Sequence, residues 1–92
     1  SNKTVHSTSI EVTMVNSVGV LGRICTLIGE QGANISDLTF VMRKPDFYKT
    51  VFELTVRDLK HLHNIITSIQ VDMDVSEASR YRTNEFKVNQ IK

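Results

Sequence analysis

The first half of the chain changes its hydrophobic period from two residues to between three and four. Apolar and polar residues alternate from Ser9 to Asn16, which is the pattern of a half-buried strand. After a turn at residues 16–19, apolar residues recur at the i, i+3, i+4, i+7 spacing of an amphipathic helix: Leu21, Ile24, Cys25 and Ile28. Gly32 ends this helix, because glycine adopts the left-handed cap conformation at little steric cost. The sequence therefore predicts a strand followed by a helix.

The segment from Ala33 to Arg43 predicts a second strand whose apolar parity shifts along its length. Ile35 has odd parity, whereas the later apolar positions are even: Leu38, Phe40 and Met42. A bulge near Ser36 and Asp37 explains the shift, since one extra residue reverses the faces of all that follow. The Lys-Pro-Asp triplet at residues 44–46 then supplies a turn. We therefore expect a hairpin with a third strand.

The second half of the chain repeats the order of strand and helix. The third strand runs from about Tyr48 to Val56, and Asp58 follows where a helix N-cap accepts backbone N–H bonds. The predicted second helix carries one apolar stripe: Leu59, Leu62, Ile65, Ile66 and Ile69. A last strand is expected from about Met73 to Arg82. The domain thus spans residues 9–82, between a flexible start that resembles a tag remnant (1–8) and a polar tail (83–92).

The predicted order, βαββαβ, indicates an α+β fold in which two crossovers return helices to an antiparallel sheet. This is the ferredoxin-like sandwich, a four-stranded antiparallel sheet with two helices on one face. Strands two and four are then sheet edges, and the second strand has no charge from Leu38 to Met42, so we expect a homodimer through a sheet edge. The predicted core is Leu21, Ile24, Ile28, Leu62, Ile66 and Ile69 on Ile10, Val12, Phe52 and Leu54.

Composition limits the function classes. A chain of 92 residues supports one hydrophobic core, and a net charge of +1 supplies no strong field for nucleic acid or an anionic membrane. No charged segment followed by a long apolar run marks a signal peptide or a membrane span, so no membrane partner is expected. The single cysteine, Cys25, cannot form an internal disulfide, which favours a cytoplasmic location.

No catalytic or metal-binding constellation is evident. His61 and His63 point roughly 200° apart on a helix, so they cannot hold one ion, and we interpret them as solvated. Cys25 lies on the apolar stripe of the first helix, where a thiol packs as a small hydrophobe. We therefore expect no catalytic residue, no metal and no cofactor.

Two basic clusters keep a nucleic-acid or ribosome contact open as an alternative. Arg80 and Arg82 flank Tyr81, and Arg43 and Lys44 flank a turn. Convergence of these clusters on one surface would favour this hypothesis. No aromatic pair on neighbouring strands is available for base stacking, because Phe40 and Phe52 have the parity of core residues.

The turn Asn16-Ser17-Val18-Gly19-Val20-Leu21 carries more chemical information. It leads into a helix N-terminus, where unpaired N–H groups and the helix dipole favour a carboxylate. Gly19 permits close approach to the backbone, although a strand-to-helix turn also uses asparagine and glycine for conformational reasons alone. From the turn by itself, the conformational explanation is the stronger one.

The same turn, followed by Gly32-Ala33-Asn34-Ile35, resembles the signature of ACT domains. The run Val56-Arg57-Asp58-Leu59-Lys60-His61-Leu62, with Ile65-Ile66, Val75 and Ala78-Ser79-Arg80, is similar to the C-terminal ACT domain of RelA/SpoT-type ppGpp synthetase/hydrolases of the stringent response. The resemblance spans roughly residues 9–82. Many family members have proline where this chain has Val18.

The resemblance implies a homodimeric regulatory module that often binds an amino acid at its interface. We therefore expect a small apolar amino acid as the ligand, with an asparagine oxygen or Asp37 near its ammonium group. Carried over residue by residue, the implied effector site is Asn16, Val18, Gly19, Val20 and Leu21, facing Asn34 and Ile35. It implies a regulatory fragment of a GTP pyrophosphokinase that relays a signal to catalytic domains of its parent chain and makes no ppGpp itself. The alternatives are an amino-acid-binding module of a biosynthetic enzyme, a ribosome or RNA contact module, and a small enzyme on the same scaffold.

Overall fold

The computed structural model describes residues 4–82 and confirms the predicted βαββαβ order. The elements are β1 (His6–Val15), α1 (Val20–Glu30), β2 (Asn34–Arg43), β3 (Phe47–Val56), α2 (Leu59–Gln70) and β4 (Val75–Tyr81). Strand β1 begins before the expected Ser9, because His6 already pairs with Val56 of β3. The expected tail, 83–92, and the first three residues lie outside the described range.

The four strands form one antiparallel sheet in the order β2-β3-β1-β4, so β2 and β4 are its edges as predicted. The expected bulge is present, since Ser36 is skipped in the pairing of β2 with β3. A second irregularity lies at Val41 and was not expected. It sets Met42 opposite Lys49, away from the helices, so Met42 does not share the face of Leu38 and Phe40 as its even parity predicted.

The core lies between the sheet and the two helices. Most of the predicted core is buried: Ile10, Val12, Ile24, Ile28, Phe52, Leu54, Leu62 and Ile69. Leu21 and Ile66 are only half-buried, whereas Val20 and Ile65 are buried in their place. The centre of each predicted stripe is therefore confirmed, and the residues at its margins differ.

Phe40 has the predicted parity, because it pairs with the buried Thr50, but it does not belong to the core. It is half-buried on edge strand β2, where its ring lies 5.0 Å from that of Tyr48 at 62°. The Arg43 guanidinium covers the same ring at 4.6 Å, a cation–π contact. An edge strand has a neighbour on one side only, so its aromatic side chain packs against its own hairpin.

Two local features fix the helix starts. Asp58 caps α2 as predicted, because its Oδ1 accepts the backbone N–H of His61 at 2.8 Å. Gly19 precedes α1 with a φ of 87°, a left-handed conformation in which a side chain is strained.

Within residues 4–82, neither helix has the length and apolar character needed to cross a bilayer.

Candidate functional site

The turn between β1 and α1 is tied to two other turns at the same end of the sheet. On one side, Val15 N–H donates to the carbonyl of Asp74 at 2.9 Å. On the other, Asn16 N–H donates to the carbonyl of Asp46 at 3.0 Å, and the Asn16 side-chain amide reaches the carbonyls of Lys44 and Pro45 at 3.1 and 3.3 Å. Asn16 therefore holds the β2–β3 hairpin turn with its Nδ2, which leaves the side-chain oxygen for another partner.

The N-terminus of α1 is open. No side chain caps it, and its first turn contains no acidic residue. Val20 N–H donates to the carbonyl of Ser17 at 3.2 Å, and Arg23 N–H donates to that of Gly19 at 2.9 Å. A Cβ placed on Gly19 would meet no atom within 4 Å. A helix N-terminus with no side-chain cap, beside an unobstructed glycine, suits a small anionic group such as a carboxylate.

The predicted lining residues differ in how accessible they are. Val18 is fully exposed and Leu21 half-buried, so both can border a ligand at this turn. Val20 is 2% exposed and belongs to the hydrophobic core, where a ligand at the turn does not reach it. The role of Val20 is therefore to anchor α1 beneath the turn.

Asn34 and Ile35 lie at the opposite end of the sheet from the β1–α1 turn. Asn34 pairs with Thr55 of β3, whereas the turn adjoins Phe47, which pairs with Val15. The two positions are about 26 Å apart along β3 at roughly 3.3 Å per residue. One chain alone does not bring the predicted set of residues together.

An ion-pair cluster that the sequence analysis missed borders the turn. The Arg23 guanidinium donates to Asp72 at 2.8 and 2.9 Å and to Asp74 at 2.8 Å. The hydrogen bonds that Arg23 donates lower the pKa of Asp72 to about 2, and the same bonds to the two carboxylates raise the pKa of Arg23. The cluster fastens the α2–β4 turn to α1. Nothing in the linear sequence pairs these residues, because folding alone brings them together.

The two basic clusters do not converge. Arg80 lies on edge strand β4, where it pairs with Ile10 of β1. Lys44 lies beside Asn16, at the far end of the opposite edge. Arg80 and Arg82 instead border a shallow groove of about 490 Å³ on the helix-free face, whose lining includes Asp37 and Glu53. Carboxylates in this groove repel a phosphate backbone, so the charge pattern argues against an RNA interface.

The remaining candidate groups lie in the helical layer. His61 is only 4% exposed, so its interpretation as a solvated residue was wrong. Burial raises the pKa of the half-buried Cys25 thiol, which disfavours the nucleophilic thiolate. Across residues 4–82, no group of three or more histidine, cysteine, aspartate and glutamate side chains is placed to hold a metal ion.

Comparisons with known proteins agree on one family. A model of the ACT domain matches residues 2–80. The chain is 38% identical over 71 residues to a GTP pyrophosphokinase of Brucella suis, which is 77% of this chain and 10% of the relative. It is 35% identical over 75 residues to the bifunctional (p)ppGpp synthase/hydrolase SpoT of Escherichia coli K12, covering 82% of this chain and 11% of the relative. The chain thus spans about a tenth of the length of these curated relatives.

A solved structure supports the same fold. The crystal structure of the ACT domain from the GTP pyrophosphokinase of Chlorobium tepidum superposes with a TM-score of 0.74 at 15% identity, covering 85% of this chain and all of that one. The resemblance seen in the β1–α1 turn and in the second half of the sequence is therefore confirmed. The chain belongs to the ACT domain family and is similar to a segment of the RelA/SpoT-type GTP pyrophosphokinases.

Proposed function

We propose that this domain is the regulatory part of a cytoplasmic ppGpp synthetase/hydrolase. In this proposal it makes the activity of that enzyme depend on the amino-acid concentration in the cell. The observation that carries the proposal is the 38% identity over 71 residues to a GTP pyrophosphokinase, which exceeds what a shared fold requires. In this function the domain makes no bond itself. It binds a small apolar amino acid, pairs with a second copy, and relays its state to catalytic domains in the parent chain.

The edge strand β2 is the surface that best fits a second copy. From Leu38 to Met42 it carries no charge to prevent pairing, and Val41 and Met42 are exposed. The other edge is partly closed, because the side-chain amide of Gln70 donates to the carbonyl of Ala78 on β4 at 2.9 Å. Edge-to-edge pairing through β2 extends the sheet from four to eight strands.

The flank of α1 above β2 supports the same interface. Gln31 bonds Ser68 of α2 at 2.8 Å, which identifies the side of α1 that faces the second helix. Helical spacing puts Gly22, Cys25 and Gly29 on the other side. A Cβ at either glycine would meet no atom within 4 Å, so this flank has room for a close neighbour. A second copy joined at β2 brings its own α1 alongside.

The dimer also explains how a divided ligand site becomes whole. When β2 pairs antiparallel with β2 of a second copy, the start of one strand lies beside the end of the other. Asn34 of the second copy then approaches Arg43, and Arg43 precedes the hairpin turn that Asn16 holds. The proposed site combines Asn16, Val18, Gly19 and Leu21 of one copy with Asn34 and Ile35 of the other.

Sedimentation velocity tests the dimer. The substitution Val41→Lys places a charge on the β2 edge, and we expect it to weaken dimerisation at least tenfold. Val71→Lys is the matched control, because Val71 is exposed in the turn after α2, away from β2. A wild-type chain that stays monomeric at high micromolar concentration contradicts the dimer, as does equal weakening by both variants.

A titration with L-valine, monitored by calorimetry and by amide chemical shifts, tests the ligand site. We expect modest affinity and shifts confined to residues 16–21 and to the start of β2. Gly19→Asp should abolish binding, because its carboxylate repels that of the ligand. The uncharged Gly19→Asn should keep binding. Aspartate and asparagine both tolerate the left-handed conformation, so the two variants differ in charge and not in backbone strain. Binding that survives Gly19→Asp, or a lack of shifts at residues 16–21 with every common amino acid, contradicts this site.

A further inference from the structure

The irregularity at Val41 decides on which face of the sheet Arg43 lies. In a regular strand, positions 40 and 43 lie on opposite faces, because successive side chains alternate. Here Phe40 pairs with the buried Thr50, and Arg43 pairs with Tyr48, which packs against the core. The extra residue thus brings Arg43 onto the helix face, beside Phe40. Bulges re-aim side chains in this way and are frequent next to functional sites.

The Arg43 guanidinium is held in position but is not neutralised. It lies 4.6 Å from the centroid of the Phe40 ring, which the ring of Tyr48 contacts in turn. A guanidinium that contacts a ring through its charge keeps its N–H donors for another partner. Among residues 4–82, no carboxylate forms an ion pair with Arg43, which is exposed. Arg43 is therefore an oriented cation whose hydrogen-bond donors are available to an anion.

This cation lies beside the turn that leads into α1. The residue after it, Lys44, has its carbonyl bonded to the Asn16 side-chain amide at 3.1 Å. Across the sheet, Arg43 is level with Tyr48 of β3 and, one strand further, with Met14 of β1. Two strand spacings put the backbone of Arg43 roughly 10 Å from β1. An arginine side chain and a small amino acid together fill such a gap, and the uncapped N-terminus of α1 follows that end of β1.

We propose that Arg43 makes the ligand site specific for a free carboxylate. This role rests on the proposed function, because it concerns the same site. One oxygen of the ligand's carboxylate accepts from the N–H groups at the start of α1, and the other accepts from the guanidinium, whose planar fork matches a carboxylate. Phe40 is a positioning residue that keeps the guanidinium on the helix face. The ligand class is an amino acid with an unmodified α-carboxylate, and the corresponding amide binds more weakly.

A comparison of L-valine with L-valinamide, which keeps the ammonium group but has no carboxylate, tests this role. In calorimetry and chemical-shift titrations, we expect Arg43→Gln to weaken L-valine binding about tenfold, because hydrogen bonds between charged groups are among the strongest. The affinity for L-valinamide should stay unchanged. Arg43→Lys keeps the positive charge and should keep a preference for L-valine. Lys44→Gln is the matched control, since it removes the next cation along the chain, which is also exposed, and should leave both affinities unchanged.

The outcomes separate the role of Arg43 from the ligand site itself. Equal L-valine affinity in wild type and Arg43→Gln overturns the role of Arg43 and leaves the site standing. Equal weakening by Lys44→Gln also overturns it, because the effect is then one of net charge. If L-valine does not bind the wild-type chain, the site is wrong and the role of Arg43 is wrong with it. Phe40→Leu should weaken L-valine severalfold and spare L-valinamide, whereas equal weakening of both ligands overturns the positioning by Phe40.

Discussion

Replacing Ile24 with alanine tests the central packing of the fold. Ile24 is fully buried in the middle of α1, where it packs in the core beneath the helix. The substitution removes three carbon atoms, which at about 0.8 kcal/mol each amounts to roughly 2.4 kcal/mol of lost burial. The unfilled cavity adds to this loss, and the higher helix propensity of alanine offsets a few tenths of a kcal/mol. We expect a loss of about 3 kcal/mol in unfolding free energy, within the usual range of about 2 to 5 kcal/mol for such changes.

Urea denaturation followed by circular dichroism measures this loss, and an unchanged m value keeps the comparison valid. In a domain of this size, about 3 kcal/mol corresponds to a fall in Tm of roughly 12–24 °C. Thr26→Ala is the matched control, since Thr26 is exposed on the same helix, and we expect it to lie within about 0.5 kcal/mol of wild type. An unchanged midpoint for Ile24→Ala, or an equal loss in Thr26→Ala, refutes the packing described above.

Two further predictions concern the turns. The Asp72 pKa of about 2, against an ordinary 3.8, means that its stabilisation is present above about pH 4 and is lost as the pH falls toward 2. Asp72→Asn should therefore flatten acid unfolding over that range, whereas Glu77→Gln on exposed β4 should not, as pH-dependent urea titrations can check. Gly32→Ala should cost about 1–2 kcal/mol because its φ is 86° and a Cβ crowds Arg57. Gly29→Ala in the exposed helix interior should instead stabilise the monomer by about 0.5–1 kcal/mol; similar effects of the two in thermal unfolding would contradict this reasoning.

The sequence predicted the elements well where period and polarity agreed. Alternation in β1 and the parity shift at Ser36 each had a polar residue to mark the register, and both features are present. The irregularity at Val41 had no such marker, because Phe40, Val41 and Met42 are all apolar. Parity carries no information in a run of apolar residues, so the outward turn of Met42 required the pairing with β3.

The buried face of each helix was predictable at its centre but not at its margins. Val20 and Leu21 are both apolar. A row of residues at four-residue spacing can start from either of them and predict a buried face of the helix. In α2 the buried column is His61, Ile65 and Ile69, whereas Ile66 lies on its flank. The spacing of His61 to Ile65 was available in the sequence. Polarity alone led to its interpretation as solvated, although a buried histidine with two backbone partners is chemically satisfied.

The candidate ligand site could not be assembled from sequence order, because nearness along the chain misleads here. Helix α1 carries the chain back along the sheet, so Asn34 begins β2 at the end opposite Asn16. If two copies complete the site, ligand binding and dimerisation are two linked equilibria. Linkage then requires reciprocity between the two affinities. The factor by which each bound amino acid raises the affinity of dimerisation equals the factor by which dimerisation raises the affinity for that amino acid. A domain built in this way reports ligand concentration as a change in subunit pairing, which is a signal that distant catalytic domains of a parent chain can sense.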